Sequence, residues 1–292
     1  MTNKTPKDKP AVQGDTVTPT KPATGKKVAT IGLMAFVVMN ITTIVSLRGL
    51  PAMAEYGLTS IFYYVFAALV FLVPVALVAA ELASAYPQQG GVFRWVGEAF
   101  GPRWGFAAIY YQWQAIVIYF PTVLVFAAAA LAYIWWPQSF DQALAENKVY
   151  TIVVLLVVYW AVTFISFRGI GASSRLSFFG GMFGTIIPGA VLILLAIVYV
   201  ATGNPVQLDM QTSFLPDFSH LKNTVLAASV FLFFAGMEMQ AVHVKELKNP
   251  SQDYPLSVLI STIAVVALFI AGTLAVGTVV KTADISLNVS MI

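Results

Sequence analysis

The groups able to do chemistry in this 292-residue chain are few, and they fall in two short stretches. Met39-Asn40-Ile41-Thr42-Thr43-Ile44-Val45-Ser46 sets an amide and three hydroxyls into a run otherwise suited to hydrocarbon. Such side chains bond neighbouring carbonyls and favour local unwinding. Phe233-Phe234-Ala235-Gly236-Met237-Glu238 places a glycine and a carboxylate after an aromatic run. Where a membrane helix unwinds, its bare N–H and C=O groups are tolerated only if they line a cavity. Half-helix N-terminal ends suit an anion and C-terminal ends a cation. The chemistry on offer is therefore the gripping of a small charged molecule, with no bond made or broken. Two interrupted helices at corresponding points of two halves are a pointer to a transporter site.

Each residue also has a plainer reading. Asn40, Thr42 and Thr43 can equally be helix-packing residues satisfied by the preceding turn. Glu238 is costly in hydrocarbon, which makes it a functional candidate; its alternatives are a partner on a neighbouring helix or a place near the membrane edge. Arg48 reads as an interfacial arginine whose stem lies along apolar surface. His243, beside Lys245 and Glu246, reads as facing an aqueous edge. No Ser-His-Asp set, metal-ligand cluster, phosphate-binding loop or paired catalytic carboxylates can be assembled. The expectation is a non-enzyme without metal or cofactor.

The elements that must position these groups follow from hydropathy. Hydrophobic residues are 59% of the chain, charged residues 10%, and the mean hydropathy is +0.81. A water-soluble domain carries roughly 25% charged residues, so lipid must be the solvent here. Seven blocks are apolar enough to span a membrane, at roughly 30–50, 60–85, 104–134, 148–167, 176–201, 223–247 and 255–280. The reading is an all-α membrane protein with seven transmembrane helices, broken in the first and sixth. Residues 1–28, rich in Lys, Pro and Thr, read as a disordered tail ahead of a transmembrane domain over 29–292.

If the chain weaves seven times, twelve basic residues fall on one side and three on the other. The positive side stays cytoplasmic, so the N-terminus is expected inside a multi-pass cell membrane protein. The net charge of +3 is spread as such loop clusters, and nucleic acid is not an expected partner. Gly180 and Gly184, four apart on the fifth helix, are expected to permit close helix packing.

Two longer patterns then stand out. PVALVAAELASAYPQQGG over 74–91, followed by Val92-Phe93-Arg94-Trp95-Val96 and Gly101-Pro102-Arg103-Trp104-Gly105-Phe106, resembles the second helix and first loop of amino acid–polyamine–organocation transporters. Phe234-Ala235-Gly236-Met237-Glu238, with Lys245-Glu246-Leu247-Lys248-Asn249-Pro250 and Asp253-Tyr254-Pro255, resembles their sixth helix and the loop after it. Within that superfamily these stretches look closest to the bacterial glutamate:γ-aminobutyrate antiporter branch.

The resemblance implies a five-plus-five inverted repeat, with a first repeat over about 29–202 and an incomplete second over about 222–292. The chain stops at Ile292, so the sequence is either a fragment or a truncated protein. The resemblance places the substrate's carboxylate at N–H groups around Thr42, Thr43 and Ile44, and its ammonium at carbonyls near Phe233, Phe234 and Ala235. Gly90, Gly91 and Arg94 would shape a cytoplasmic loop that rearranges during alternating access. The implied activity is amino-acid antiport, with amine or polyamine exchange and proton-coupled symport as alternatives. A seven-helix receptor or scaffold is the alternative of another class. The partners are the bilayer and a small amino acid or amine; oligomeric state stays open.

Overall fold

A computed structural model describes residues 31–86, 90–134, 143–208, 213–216, 228 and 230–281. The expected tail at 1–28, the Pro87-Gln88-Gln89 part of the loop motif and the first residues of the sixth block lie outside the described residues. The described part is helical, and its only β pairing is one isolated bridge.

We number the helices α1 (Leu33–Ile44), α2 (Gly49–Ala54), α3 (Thr59–Ala85), α4 (Gly91–Phe100), α5 (Pro102–Ala132), α6 (Lys148–Ser166), α7 (Ile170–Ala201) and α8 (Pro250–Val279). A three-ten helix, Met239–Glu246, precedes α8. Five of these, α3, α5, α6, α7 and α8, are long and apolar enough to cross a membrane. The first expected span appears as α1 plus α2, separated by non-helical residues 45–48. The described part of the sixth is a helical stretch at 230–233, a turn through 234–238 and the three-ten segment.

Prolines shape several spans. Proline lacks an N–H, and its ring crowds the carbonyl four residues earlier. In α3 a π-turn at Ala68–Leu72 ends two residues before Pro74, and in α7 one at Met182–Ile186 ends two before Pro188. The widened turn absorbs the misfit, so both spans stay continuous. Pro121 lies inside α5, which runs unbroken for 31 residues. α7 begins at Ile170, so Arg175, expected in a loop, sits on its first turns.

α8 is the hub. It packs on α1, α2, α3 and α7 and brings Tyr254, Ser257, Ser261, Val265, Phe269 and Thr273 into the interior. The spacing of these positions traces one helical face. Small hydroxyl residues there let α1 approach closely: Asn40 Nδ2 donates to Ser257 Oγ at 3.5 Å, and Ser261 Oγ to the Val37 carbonyl at 3.3 Å. Against this hub, α6 buries no residue among those described.

The packing glycine of the fifth span is neither of the expected pair. A Cβ at Gly180 or Gly184 would meet nothing within 4 Å. At Gly181 it would collide with Thr42 and would lie 2.8 Å from Val38 Cγ1. The contact face of α7 therefore runs through position 181, where α1 crosses. We expect Gly181→Ala to lower stability by about 1–3 kcal/mol through overpacking. Gly180→Ala, the same change toward open space, should be neutral or stabilising by up to about 1 kcal/mol. Paired thermal unfolding in detergent checks this, and equal effects would contradict the described α1–α7 contact.

Candidate functional site

The site is built where the first and sixth spans lose their helices. α1 ends at Ile44, and its cap residue Val45 is extended, with φ −74° and ψ 118°. The chain resumes as α2 at Gly49. The cause is Pro51. In a continuous helix its missing N–H would leave the Leu47 carbonyl unbonded, and its ring would crowd that same carbonyl. Leu47 O instead accepts from Leu50 N at 3.2 Å, and Ser46 O from Gly49 N at 3.3 Å.

The hydroxyls of Thr42 and Thr43 do not unwind the helix. Thr42 Oγ1 donates to the Val38 and Met39 carbonyls at 2.9 and 3.1 Å, and Thr43 Oγ1 to Met39 O at 2.8 Å. These bonds close back on the preceding turn, so Asn40, Thr42, Thr43 and Ile44 are all helical. The break lies at the end of the polar run instead of within it. At this break the N–H groups of Ser46 and Leu47 donate no hydrogen bond among the described residues. Thr42, Thr43 and Ile44, the donors that the resemblance implied, lie within α1.

In the sixth span, helix gives way to turn at Phe234 and resumes as the three-ten segment at Met239. Gly236 sits at φ +114°, a conformation glycine alone adopts readily. The carbonyls of Phe233, Phe234 and Ala235 accept no hydrogen bond among the described residues, and the N–H groups of Gly236, Met237 and Glu238 donate none. These are the carbonyls at which the resemblance put an ammonium. Glu238, the N-cap of the three-ten segment, is half-buried.

The two breaks touch. Gln240 Nε2 donates to Thr43 Oγ1 at 2.7 Å. A Cβ on Gly236 would lie 3.3 Å from Thr43 Cγ2, and one on Gly49 would lie 2.9 Å from the Phe233 ring. Behind them Phe233 stacks on Phe269 at 6.0 Å, Phe269 on Tyr64 at 5.4 Å, and Tyr64 pairs with Thr273 at 3.0 Å. This aromatic stack ties the sixth span to α8 and α3. Asn40 is turned away from the breaks toward α8, 1% exposed and bonded to Ser257. Its Oδ1 is buried and accepts no hydrogen bond among the described residues.

The structure sets Gly90, Gly91 and Arg94 apart from the breaks, at the start of α4. Gly90 and Gly91 have φ +139° and +49°. A Cβ at Gly91 would lie 3.0 Å from Val242 Cγ1, so α4 rests on the three-ten segment. Arg94 pairs with Glu98 one turn on, at 2.8 Å.

Two facing helix breaks with open peptide groups suit a carrier of small charged molecules, and comparison with known proteins agrees. The model of the family described as amino acid permease matches residues 31–292. The chain belongs to the amino acid permease family. An uncharacterized transporter of Legionella pneumophila is 42% identical over 256 residues, covering 88% of this chain and 54% of the relative. A glutamate/gamma-aminobutyrate antiporter of Lactococcus lactis is 33% identical over 264 residues, covering 90% and 52%. A probable agmatine/putrescine antiporter of Lactococcus lactis is 21% identical over 239 residues, covering 82% and 49%. The chain spans about half the length of the curated relatives it matches. Family and relatives are transporters rather than enzymes, of the amino acid–polyamine–organocation kind. As a member of that family the chain is a multi-pass membrane protein.

The left-handed backbone at Gly236 gives a direct test of the sixth break. We expect Gly236→Ala to cost about 1–3 kcal/mol, the usual penalty for holding a side chain in that region. Thermal unfolding beside wild type measures it, and a variant of unchanged stability would contradict the described turn.

Proposed function

We propose that the protein exchanges amino acids across the cell membrane by alternating access, in the manner of glutamate/γ-aminobutyrate antiport. The observation that carries this reading is the meeting of two helix breaks that leave peptide N–H and C=O groups open. The Ser46 and Leu47 N–H groups are free to donate to a carboxylate. The Phe233, Phe234 and Ala235 carbonyls are free to accept from an ammonium. A zwitterion satisfies both sets, and its hydration shell is replaced group for group. Glu238, beside the second set, adds negative charge that favours the cationic end of the ligand. Thr43, through its bond from Gln240, fixes the spacing between the two sets.

The relatives support the cargo class. The basic loops support an N-terminus on the cytoplasmic side. Gly90, Gly91 and Arg94, at the start of α4, then lie on the cytoplasmic side and follow the three-ten segment as the site changes sides.

The test is uptake of labelled glutamate into proteoliposomes loaded with γ-aminobutyrate, with glutamate, with putrescine or with nothing. Exchange predicts uptake only against a trapped counter-substrate; equal filling of empty vesicles rules it out. Preference for putrescine would move the cargo to amines. A ligand-binding variant accompanies it. Ser46→Pro deletes one open N–H, and Val45 already has the extended backbone that precedes proline without strain. Loss of one charge-assisted bond worth about 1.5–3 kcal/mol predicts roughly 10- to 150-fold weaker binding of a carboxylate ligand. Unchanged affinity in the folded variant would remove Ser46 from the site.

A further inference from the structure

Helices α6 and α7 carry basic side chains and no acidic ones. From Asn147 through Leu208 the sequence has no Asp or Glu, while Lys148 opens α6, Arg168 lies in the α6–α7 turn and Arg175 sits on the first turns of α7. Both arginines are exposed. Among the described residues the ion pairs are Arg94–Glu98 and His243–Glu246, so neither arginine meets a carboxylate.

The two guanidinium groups are held on one turn. Arg175 Nε donates to the Gly171 carbonyl at 3.1 Å, which folds the side chain back toward the turn that carries Arg168. That bond leaves its Nη groups without an acceptor among the described residues. The turn itself is tight. The Arg168 N–H donates to the Ile165 carbonyl and the Gly169 N–H to the Ser166 carbonyl, each at 3.0 Å.

An aromatic row on α6 leads up to these cations. Trp160, Phe164 and Phe167 are 51%, 62% and 78% exposed. Their ring centroids lie 5.8 Å apart in the first pair and 6.4 Å in the second. Since α6 buries no residue among those described, the row faces acyl chains directly. A topology signal needs only basic residues near a loop. It does not need an arginine tied down on a helix, or a row of rings ending beside it. Guanidinium groups grip phosphate through forked N–H pairs, and basic sites beside membrane helices take anionic head groups.

We propose that Arg168 and Arg175 bind the phosphate of one acidic phospholipid, whose acyl chain lies along Trp160, Phe164 and Phe167. α7 also carries Gly181, where α1 crosses, so the lipid braces the helix on which α1 is seated. The site stands independently of the transport reading.

Native mass spectrometry of the 292-residue chain, released from micelles holding equal amounts of phosphatidylglycerol and phosphatidylcholine, tests it. We expect one phosphatidylglycerol retained in preference to phosphatidylcholine. Arg168→Gln/Arg175→Gln should weaken that binding about tenfold or more, the loss expected for charge-assisted bonds. The charge-matched control is Lys245→Gln/Lys248→Gln, two exposed cations that the basic-loop pattern puts on the same membrane face. It should leave binding unchanged. Equal losses in the two double variants would mean diffuse surface attraction and overturn the site, as would wild type without lipid preference. The single variants Arg168→Gln and Arg175→Gln carry the test if the double variant does not fold. Phosphatidylglycerol, but not inorganic phosphate at the same concentration, should raise the unfolding temperature of wild type. Equal shifts would overturn the assignment to lipid.

Discussion

A peptide group in hydrocarbon has no water to fall back on, and every feature of the site follows from that constraint. Leaving an N–H or C=O unpaired costs several kcal/mol in lipid, so a membrane helix stays continuous unless protein or cavity covers its break. Here two spans break, and each break is covered chiefly by the other. Phe233 presses on Gly49, while Thr43 presses on Gly236 and accepts a bond from Gln240. Once those contacts are made, peptide groups at both breaks still lack partners among the described residues.

The rest of the fold serves to keep the breaks in place. α8 lies against α1, α2 and α3, and through the Phe233–Phe269–Tyr64 stack it holds the second break as well. The hydroxyls on its inner face are spent on helix contacts, with Ser257 facing Asn40 and Thr273 facing Tyr64. α5, α6 and α7 bury little of their apolar surface in the described residues. The positioning of the site is thus the work of α1, α2, α3, α8 and the sixth span. α4 joins them through Gly91, which lies close to Val242, and through Trp95, which packs on the buried core.

The spans were easy to read because continuous apolar runs have one meaning in a chain with so little charge. The second break was legible for a local reason, since Gly236 next to a carboxylate in an apolar helix has little other use. The first was misplaced because Thr and Ser carry two opposite meanings. Free to bond elsewhere they unwind a helix; bonded back to Val38 and Met39 they reinforce it. Which one holds depends on the neighbour across the contact, and a sequence does not display that neighbour. The usable signal lay further on, in Pro51, whose effect falls four residues upstream on Leu47. Gly180 and Gly184 misled for a related reason: spacing identifies a helical stripe, but the stripe that faces α1 passes through Gly181. The Ile31–Leu247 bridge had no sequence signature, because a single backbone pair imposes no pattern on side chains.

The reciprocal use of glycine explains why the breaks occur as a pair. Gly49 gives up its side chain so that Phe233 can approach, and Gly236 gives up its own so that Thr43 can. Either break alone would leave an aromatic ring or a threonine methyl with no room beside it, and would leave open peptide groups beside a continuous helix. With both present, each supplies the other's missing volume, and the Thr43–Gln240 bond sets the offset between them. The distance between open N–H and open C=O groups is then a property of the packed pair and not of any flexible loop. On the proposed reading, such a site selects ligands by the span between their charges, because moving either wall displaces the ring or methyl lodged in its glycine notch.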